Sequence, residues 1–129
     1  MNKVSLQLAC VFAALAVGFG AFAAHGLKNI LSNDTIVIFE TGVKYQFYHA
    51  FALLGAGILY KDFNKKWIQL ASNLFLLGIL IFSSSLYLLC FSKQFNWGIN
   101  WLGAITPIGG VFFILGWMFM FFGIFKNKH

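Results

Sequence analysis

Residues 40–49 read ETGVKYQFYH and form the densest run of ionisable and hydrogen-bonding side chains in a very apolar chain. The run leads directly into the apolar segment 50–60. Polar side chains are costly in hydrocarbon, and within a membrane helix they usually face a partner or a cavity. We therefore interpret residues 40–49 as the polar mouth of a membrane helix that continues to Tyr60.

The composition predicts an integral membrane protein. The chain has 129 residues, of which 60% are hydrophobic and 9% are charged, and its mean hydropathy is +0.83. Soluble domains carry about 25% charged residues, so this chain has too few to cover a water-facing surface. A spanning helix needs about 20 residues, so we predict one all-α domain, 1–129, a small bundle of four transmembrane helices. The predicted spans are roughly 4–24, 40–60, 68–91 and 105–125.

The basic charge comes entirely from lysine, and its placement indicates membrane topology. The net charge is +6, and the chain contains no arginine, which is the common reader of guanine. The lysines flank apolar segments, as the positive-inside rule describes. With four spans, one side holds Lys3, Lys61, Lys65, Lys66, Lys126 and Lys128, and the other holds Lys28, Lys44 and Lys93. We therefore expect both termini to be cytoplasmic, in the cell (inner) membrane, with the lipid bilayer as partner and no nucleic acid.

Local signals predict where the helices begin and end. Gly26 can adopt the left-handed conformation that ends a helix. Asp34 is a candidate N-cap for a helix that starts near Thr35. The pair Thr106-Pro107 is typical of a helix start, with Thr as N-cap and Pro at the first helical position.

The first apolar run carries small residues at helical spacing, which favours close helix packing in lipid. These residues are Ala16, Gly20 and Ala24, with Ala14 and Gly18 beside them. A cleaved signal peptide is the rival interpretation, because 21–23 reads Ala-Phe-Ala. The run is longer than a usual signal core, so we favour a packing helix.

Residue counting places polar groups from several helices at a similar depth. His49 lies about 13 Å below the non-cytoplasmic mouth when counted from Glu40, and Ser84 lies roughly 10 Å deep on the antiparallel third helix. These depths predict a polar pocket in the outer leaflet. Its predicted members are His25, Glu40, Lys44, Tyr45, Gln46, His49, Ser83, Ser84, Ser85 and Thr106.

Each of these residues also has a purely structural interpretation. Serines within spans commonly bond to carbonyls of their own helix. Glu40 and Lys44, four residues apart, can form an exposed helix pair. His49 is interpreted either as a structural hydrogen-bond bridge or as a group that handles a ligand, proton or substrate.

Four ordered motifs resemble a known family. Residues 20–27 (GAFAAHGL), 39–50 (FETGVKYQFYHA), 78–87 (GILIFSSSLY) and 105–110 (ITPIGG) are similar to the signatures of uncharacterised membrane protein family 0382, also called domain of unknown function 423, which includes transmembrane protein 256. Ala23 and Ser84 stand where the family usually has Gly, and Lys44 where Arg is frequent. The resemblance implies a small four-span membrane protein. It brings no established activity and therefore no catalytic residues.

Three functions compete. The first is a non-enzymatic accessory, scaffold or lipid-interacting protein, with a homo-oligomer or another membrane protein as candidate partner. The second is a small-solute or proton pathway through the outer vestibule. The third is a haem or metal site at His25 and His49. The two cysteines, Cys10 and Cys90, form no CxxC pair, and we predict no catalytic residue, no metal site and no cofactor.

Overall fold

The computed structural model describes residues 2–126, and this part of the chain contains helices and no strand, which confirms the all-α prediction. The α-helices are α1 (Lys3–His25), α2 (Asn33–Leu59), α3 (Lys65–Gly78), α4 (Ser84–Phe95) and α5 (Leu102–Phe125). Leu27–Asn29 form a 3₁₀ turn, and Ile79–Ser83 form a π-helical segment that joins α3 to α4. Residues 2–126 therefore fold into four long rods, the third being α3, the π segment and α4 together. Lys128, one of the lysines used to predict the membrane topology, lies outside the described residues.

Three of these rods are long and apolar enough to cross a membrane: Lys3–Asn29, Lys65–Phe95 and Leu102–Phe125. Helix α2 is long enough, with 27 residues, but it does not reach the same hydropathy. The reason is its polar stretch, residues 40–49. Helix α2, which carries the densest run of ionisable and hydrogen-bonding side chains, is therefore also the helix least suited by itself to a hydrocarbon environment.

Helix α1 packs on α2 through small side chains. Its buried residues are Ser5, Ala9, Ala16 and Ala23. Three of them are seven residues apart, so they lie on one face and let the two backbones approach closely. The predicted face was only partly right, because Ala14, Gly18 and Ala24 are exposed.

The predicted start of α2 was wrong by two residues. Its N-cap is Ser32, whose backbone is extended and whose hydroxyl accepts from the Thr35 N–H at 3.4 Å. Asp34 instead lies in the first turn, where a negative charge interacts favourably with the helix dipole. Helix α1 ends at Gly26, its C-cap, as predicted, but the left-handed conformation was wrong, since the Gly26 backbone is right-handed and leads into the 3₁₀ turn.

The predicted start of α5 was wrong as well. The helix begins at Leu102, so Thr106 and Pro107 lie inside it. The first turns form because the amides of Leu102, Gly103 and Ala104 bond to carbonyls three residues earlier. The Thr106 hydroxyl donates to the Leu102 carbonyl at 3.3 Å and does not cap a helix.

Helix α5 packs on the third rod through a ladder of glycines opposite bulky side chains. Gly109, Gly116 and Gly123 are seven residues apart on α5. A methyl group added at these positions would meet Phe82, Phe75 and Ile68 respectively, at 2.5 to 2.8 Å. Those partners are themselves seven residues apart on the antiparallel rod. Gly103, in the first turn of α5, does not belong to this ladder, because open space surrounds it.

Candidate functional site

His49 lies where α2 meets α5, and both of its ring nitrogens have partners. Nδ1 lies 2.8 Å from the Tyr45 carbonyl oxygen, which can only accept, so Nδ1 carries the proton. The Trp117 indole N–H donates to Nε2 at 3.1 Å, so Nε2 is the acceptor. These two bonds hold His49 as a neutral imidazole in a single tautomer. The side chain is buried, with 5% of its surface exposed.

A cavity of about 400 Å³ lies beside this imidazole. It is lined by Tyr45, His49, Phe82, Gly110, Phe113, Ile114 and Trp117. The Phe113 ring stacks on the imidazole with centroids 3.6 Å apart, and the Tyr45 and Phe82 rings lie 4.7 Å apart. The walls are therefore aromatic, and the polar atoms of His49 are already hydrogen-bonded. We call this space the His49 cavity.

Gln46 connects three helices through its amide. Its Nε2 donates to the Phe12 carbonyl of α1 at 2.9 Å. Its Oε1 accepts from the Tyr87 hydroxyl of α4 at 2.7 Å. Gln46 is only 3% exposed, and a buried amide is tolerated because these bonds offset its desolvation.

Two serines make contacts between helices. The Ser83 hydroxyl donates to the Gly42 carbonyl at 2.8 Å, so the serine joins the third rod to α2. Gly42 permits this approach, because a methyl group there would lie 2.7 Å from the Tyr87 ring. Ser85 donates to the carbonyl of Phe82 in its own rod and lies 2.7 Å from the Thr106 hydroxyl of α5.

The structure distributes the ten predicted site residues over several contacts. Four are buried: Gln46, His49, Ser83 and Ser85. Thr106 is half-buried and lies beside Ser85. Five are exposed: His25, Glu40, Lys44, Tyr45 and Ser84. Of the ten, only Tyr45 and His49 line the His49 cavity.

Sequence reasoning missed the partners of the buried polar groups. Tyr87 was noted but not included among the predicted pocket residues, and Trp117 was not noted at all. A usable signal existed for Trp117, because it is the one tryptophan in the middle of an apolar segment, and a buried indole N–H usually finds an acceptor.

No group of three or more His, Cys, Asp and Glu side chains is placed to hold a metal ion in the part of the chain that the structure describes. His25 is exposed, and a haem ligand or proton acceptor at His49 would need the Nε2 lone pair that Trp117 occupies.

A second cavity of about 220 Å³ is entirely aromatic, lined by Phe19, Phe22, Phe39, Tyr87 and Phe91.

Comparison with known proteins gives consistent matches. The family model described as protein of unknown function (DUF423) matches residues 19–110. A UPF0382 membrane protein of Staphylococcus saprophyticus is 43% identical over 126 residues, covering 96% of this chain and 98% of the relative. A UPF0382 membrane protein of Haemophilus influenzae is 38% identical over 128 residues, covering 99% and 98%. A Bacillus subtilis relative of the same description is 40% identical over 117 residues, covering 90% and 91%. No solved structure matches the chain.

Proposed function

This chain belongs to the DUF423 family of membrane proteins, and from that premise we propose that it is a non-enzymatic, lipid-interacting protein that holds a hydrocarbon chain in the His49 cavity. The resemblance drawn from the four motifs is confirmed by these matches. The proposal places the protein in the cell (inner) membrane with four crossings. The observation that carries it is an aromatic cavity whose only imidazole has both nitrogens hydrogen-bonded.

The fourth crossing is α2, and its support is how α2 is packed. One end is tied to α1 by the bond from the Asn2 amide to the Gly57 carbonyl at 2.9 Å. The other end is tied to α4 by Gln94, which accepts from the Thr35 hydroxyl at 3.0 Å. Between these ends the buried polar groups of α2 have partners on other helices, which lowers their cost in hydrocarbon. Helix α2 therefore fits a crossing that depends on its neighbours.

The proposed orientation rests on the distribution of lysines between the two ends of the bundle, counted over residues 2–126. The end that contains the start of α1 carries five: Lys3, Lys61, Lys65, Lys66 and Lys126. The opposite half carries Lys28, Lys44 and Lys93. The positive-inside rule then favours a cytoplasmic location for both termini.

The position of the His49 cavity favours a hydrocarbon occupant. His49 lies about 24 Å from the start of α2 and about 15 Å from its end, and Phe113 lies about 16 Å and 18 Å from the two ends of α5. The cavity is therefore near mid-height, where a charged headgroup would be costly. Because α2 begins at Asn33 and not at Glu40, this is deeper than the outer-leaflet depth predicted from the sequence. Its volume lies in the range of small-molecule sites, and Tyr45, Ile114 and Trp117 are exposed at its mouth. These features fit an acyl chain better than a polar solute.

Filling the cavity tests the proposal. Gly110 lines the His49 cavity, and a methyl group there would make only an ordinary contact with Phe82 at 3.8 Å, so Gly110→Leu should fold and occupy the space. Gly18→Leu is the matched control, because Gly18 has open space on α1. The full chain is reconstituted with phosphatidylcholine carrying a photoreactive diazirine acyl chain. Mass spectrometry then locates the crosslinks.

We expect the wild type and Gly18→Leu to crosslink at the cavity residues Phe82, Ile114 and Trp117. Gly110→Leu should lose most of these crosslinks and keep those on the outer face of α1. Equal crosslinking of all three proteins at the cavity residues would mean ordinary surface lipid and would refute the proposal.

A further inference from the structure

The two ends of the bundle differ in charge, and contacts between elements hold the more basic end together. The Asn64 amide donates to the Gly123 carbonyl at 3.2 Å, which joins the start of α3 to the end of α5. The Asn2 amide and side chain reach Gly57 and Gln69. The start of α1, the α2–α3 turn and the end of α5 therefore form one surface.

This surface carries an excess of positive charge. Its lysines are all exposed: Lys3, Lys61, Lys65, Lys66 and Lys126. Asp62 is the one acidic residue among residues 57–69. The other half of the bundle has three lysines accompanied by Asp34 and Glu40. We call the five residues the lysine surface.

Aromatic rings position two of these lysines. The Lys126 ammonium lies 4.7 Å from the centre of the Trp67 ring, and the Lys65 ammonium lies 5.8 Å from that of Tyr60. The Trp67 ring stacks on Phe119 at 5.1 Å, so it is anchored to α5. Trp and Tyr prefer the level of lipid headgroups. The cations beside them are therefore held at the depth of phosphate groups.

We propose that the lysine surface is a docking surface for anionic phospholipid headgroups. Its charge is complementary to a leaflet that carries phosphodiester anions, and among residues 57–69 of the surface Asp62 is the one acidic side chain. Lysine ammoniums on flexible stems bind phosphates as point charges and do not require a bidentate fit. The inference depends on membrane embedding, and it is independent of what occupies the His49 cavity.

Matched triple variants test this surface. Lys61→Gln/Lys65→Gln/Lys126→Gln removes three charges from it, and Lys28→Gln/Lys44→Gln/Lys93→Gln removes three charges from the opposite half. Native mass spectrometry of the full chain in neutral detergent measures the affinity for dioleoylphosphatidylglycerol and for dioleoylphosphatidylcholine. Circular dichroism checks that each variant remains helical.

We expect the wild type to prefer phosphatidylglycerol, and each lysine removed from the surface to weaken that binding roughly fivefold. The opposite triple should change it about twofold or less, because those charges lie farther than a Debye length from the surface. Phosphatidylcholine binding should be unchanged throughout. If the first triple does not fold, Lys126→Gln and Lys28→Gln provide the same comparison with single charges.

Two results would overturn the inference. One is equal affinity of the wild type for the two lipids, or an equal loss from both triples. The other is tighter binding of an octaglutamate peptide than of phosphatidylglycerol, lost in the first triple, which would assign the surface to an acidic protein segment. Gly110→Leu should leave the preference for phosphatidylglycerol intact, so a failure here is distinguishable from a failure of the cavity proposal.

Discussion

Helices α5 and α2 both pack against the third rod, and they do so by opposite means. The α5 contact is mainly dry: Gly109, Gly116 and Gly123 receive Phe82, Phe75 and Ile68. Its polar contacts are the Ser85–Thr106 hydroxyl pair and the bond from the Asn64 amide to the Gly123 carbonyl. The α2 contact is polar: Ser83 bonds the Gly42 carbonyl, and Tyr87 bonds Gln46. Lipid tails are as apolar as leucine, so helices in a bilayer associate by close packing or by hydrogen bonds between helices. In this small bundle, close packing on glycines dominates one side of the third rod, and buried side-chain hydrogen bonds join the other side to α2.

The difference also explains where the candidate site lies. The π-helical segment Ile79–Ser83 adds a residue to a turn of the rod, and such segments are frequent at functional sites. Phe82, in that segment, contacts Gly109 of the dry side and lines the His49 cavity. Ser83, the next residue, bonds to α2. The cavity forms where the two kinds of contact meet.

The largest effect is expected on the dry side. Gly109→Ala places a methyl group 2.5 Å from the backbone nitrogen of Phe82, and backbone cannot move aside as a flexible side chain can. We expect a loss of about 1–3 kcal/mol or more in the free energy of unfolding. Thermal and denaturant unfolding in detergent would measure it. Gly103→Ala is the control in the same helix, since open space surrounds Gly103; an equal loss there would contradict the ladder.

An intermediate effect is expected at the polar side. Gln46→Met keeps the length of the side chain but removes its bonds to Phe12 and Tyr87. Hydrogen bonds between membrane helices contribute about 0.6 kcal/mol on average and up to about 1.7, so we expect a loss of about 1–2 kcal/mol in the free energy of unfolding. Gln7→Met, at an exposed position, should have little effect.

A second variant shows whether the Gln46 loss comes from the hydrogen bond. Tyr87→Phe removes the unpaired hydroxyl that Gln46→Met leaves behind, so the double variant should lose less than the two single losses added together. Strict additivity would mean that Gln46 and Tyr87 act independently, contrary to the 2.7 Å bond between them.

The smallest effect distinguishes two adjacent serines. Ser83→Ala removes a buried bond to α2, and we expect a loss of about 0.6 kcal/mol in the free energy of unfolding. Ser84→Ala changes an exposed side chain and should lie within about 0.5 kcal/mol of the wild type, in either direction. Both variants carry the same substitution at adjacent positions, and the same unfolding experiment measures them. A larger loss at Ser84 than at Ser83 would reverse the assignment of faces.

The chain's local chemistry predicted some boundaries better than others. The prediction took Asp34 as the N-cap of α2, whereas Ser32, which also favours caps, has the extended backbone and caps the helix. Thr106-Pro107 misled because the pair resembles a helix start, whereas carbonyls of residues 99–101 supply the first turn. Capping residues indicate possible helix starts, and the backbone conformation of the preceding loop determines which of them is used.

Composition and motifs by themselves determined the class of this protein: an apolar, helical membrane chain of the DUF423 family, with its unusual chemistry in residues 40–49. They did not determine which polar residues meet. Residue counting gives height along a helix, but successive residues are turned by about 100° around its axis, so Ser83 is buried and Ser84 exposed at nearly one height. The faces were decided by where glycines allow close approach and by the extra residue of the π-helical segment, because both set the rotation of each rod against its neighbours. Only the tertiary structure contains that rotation.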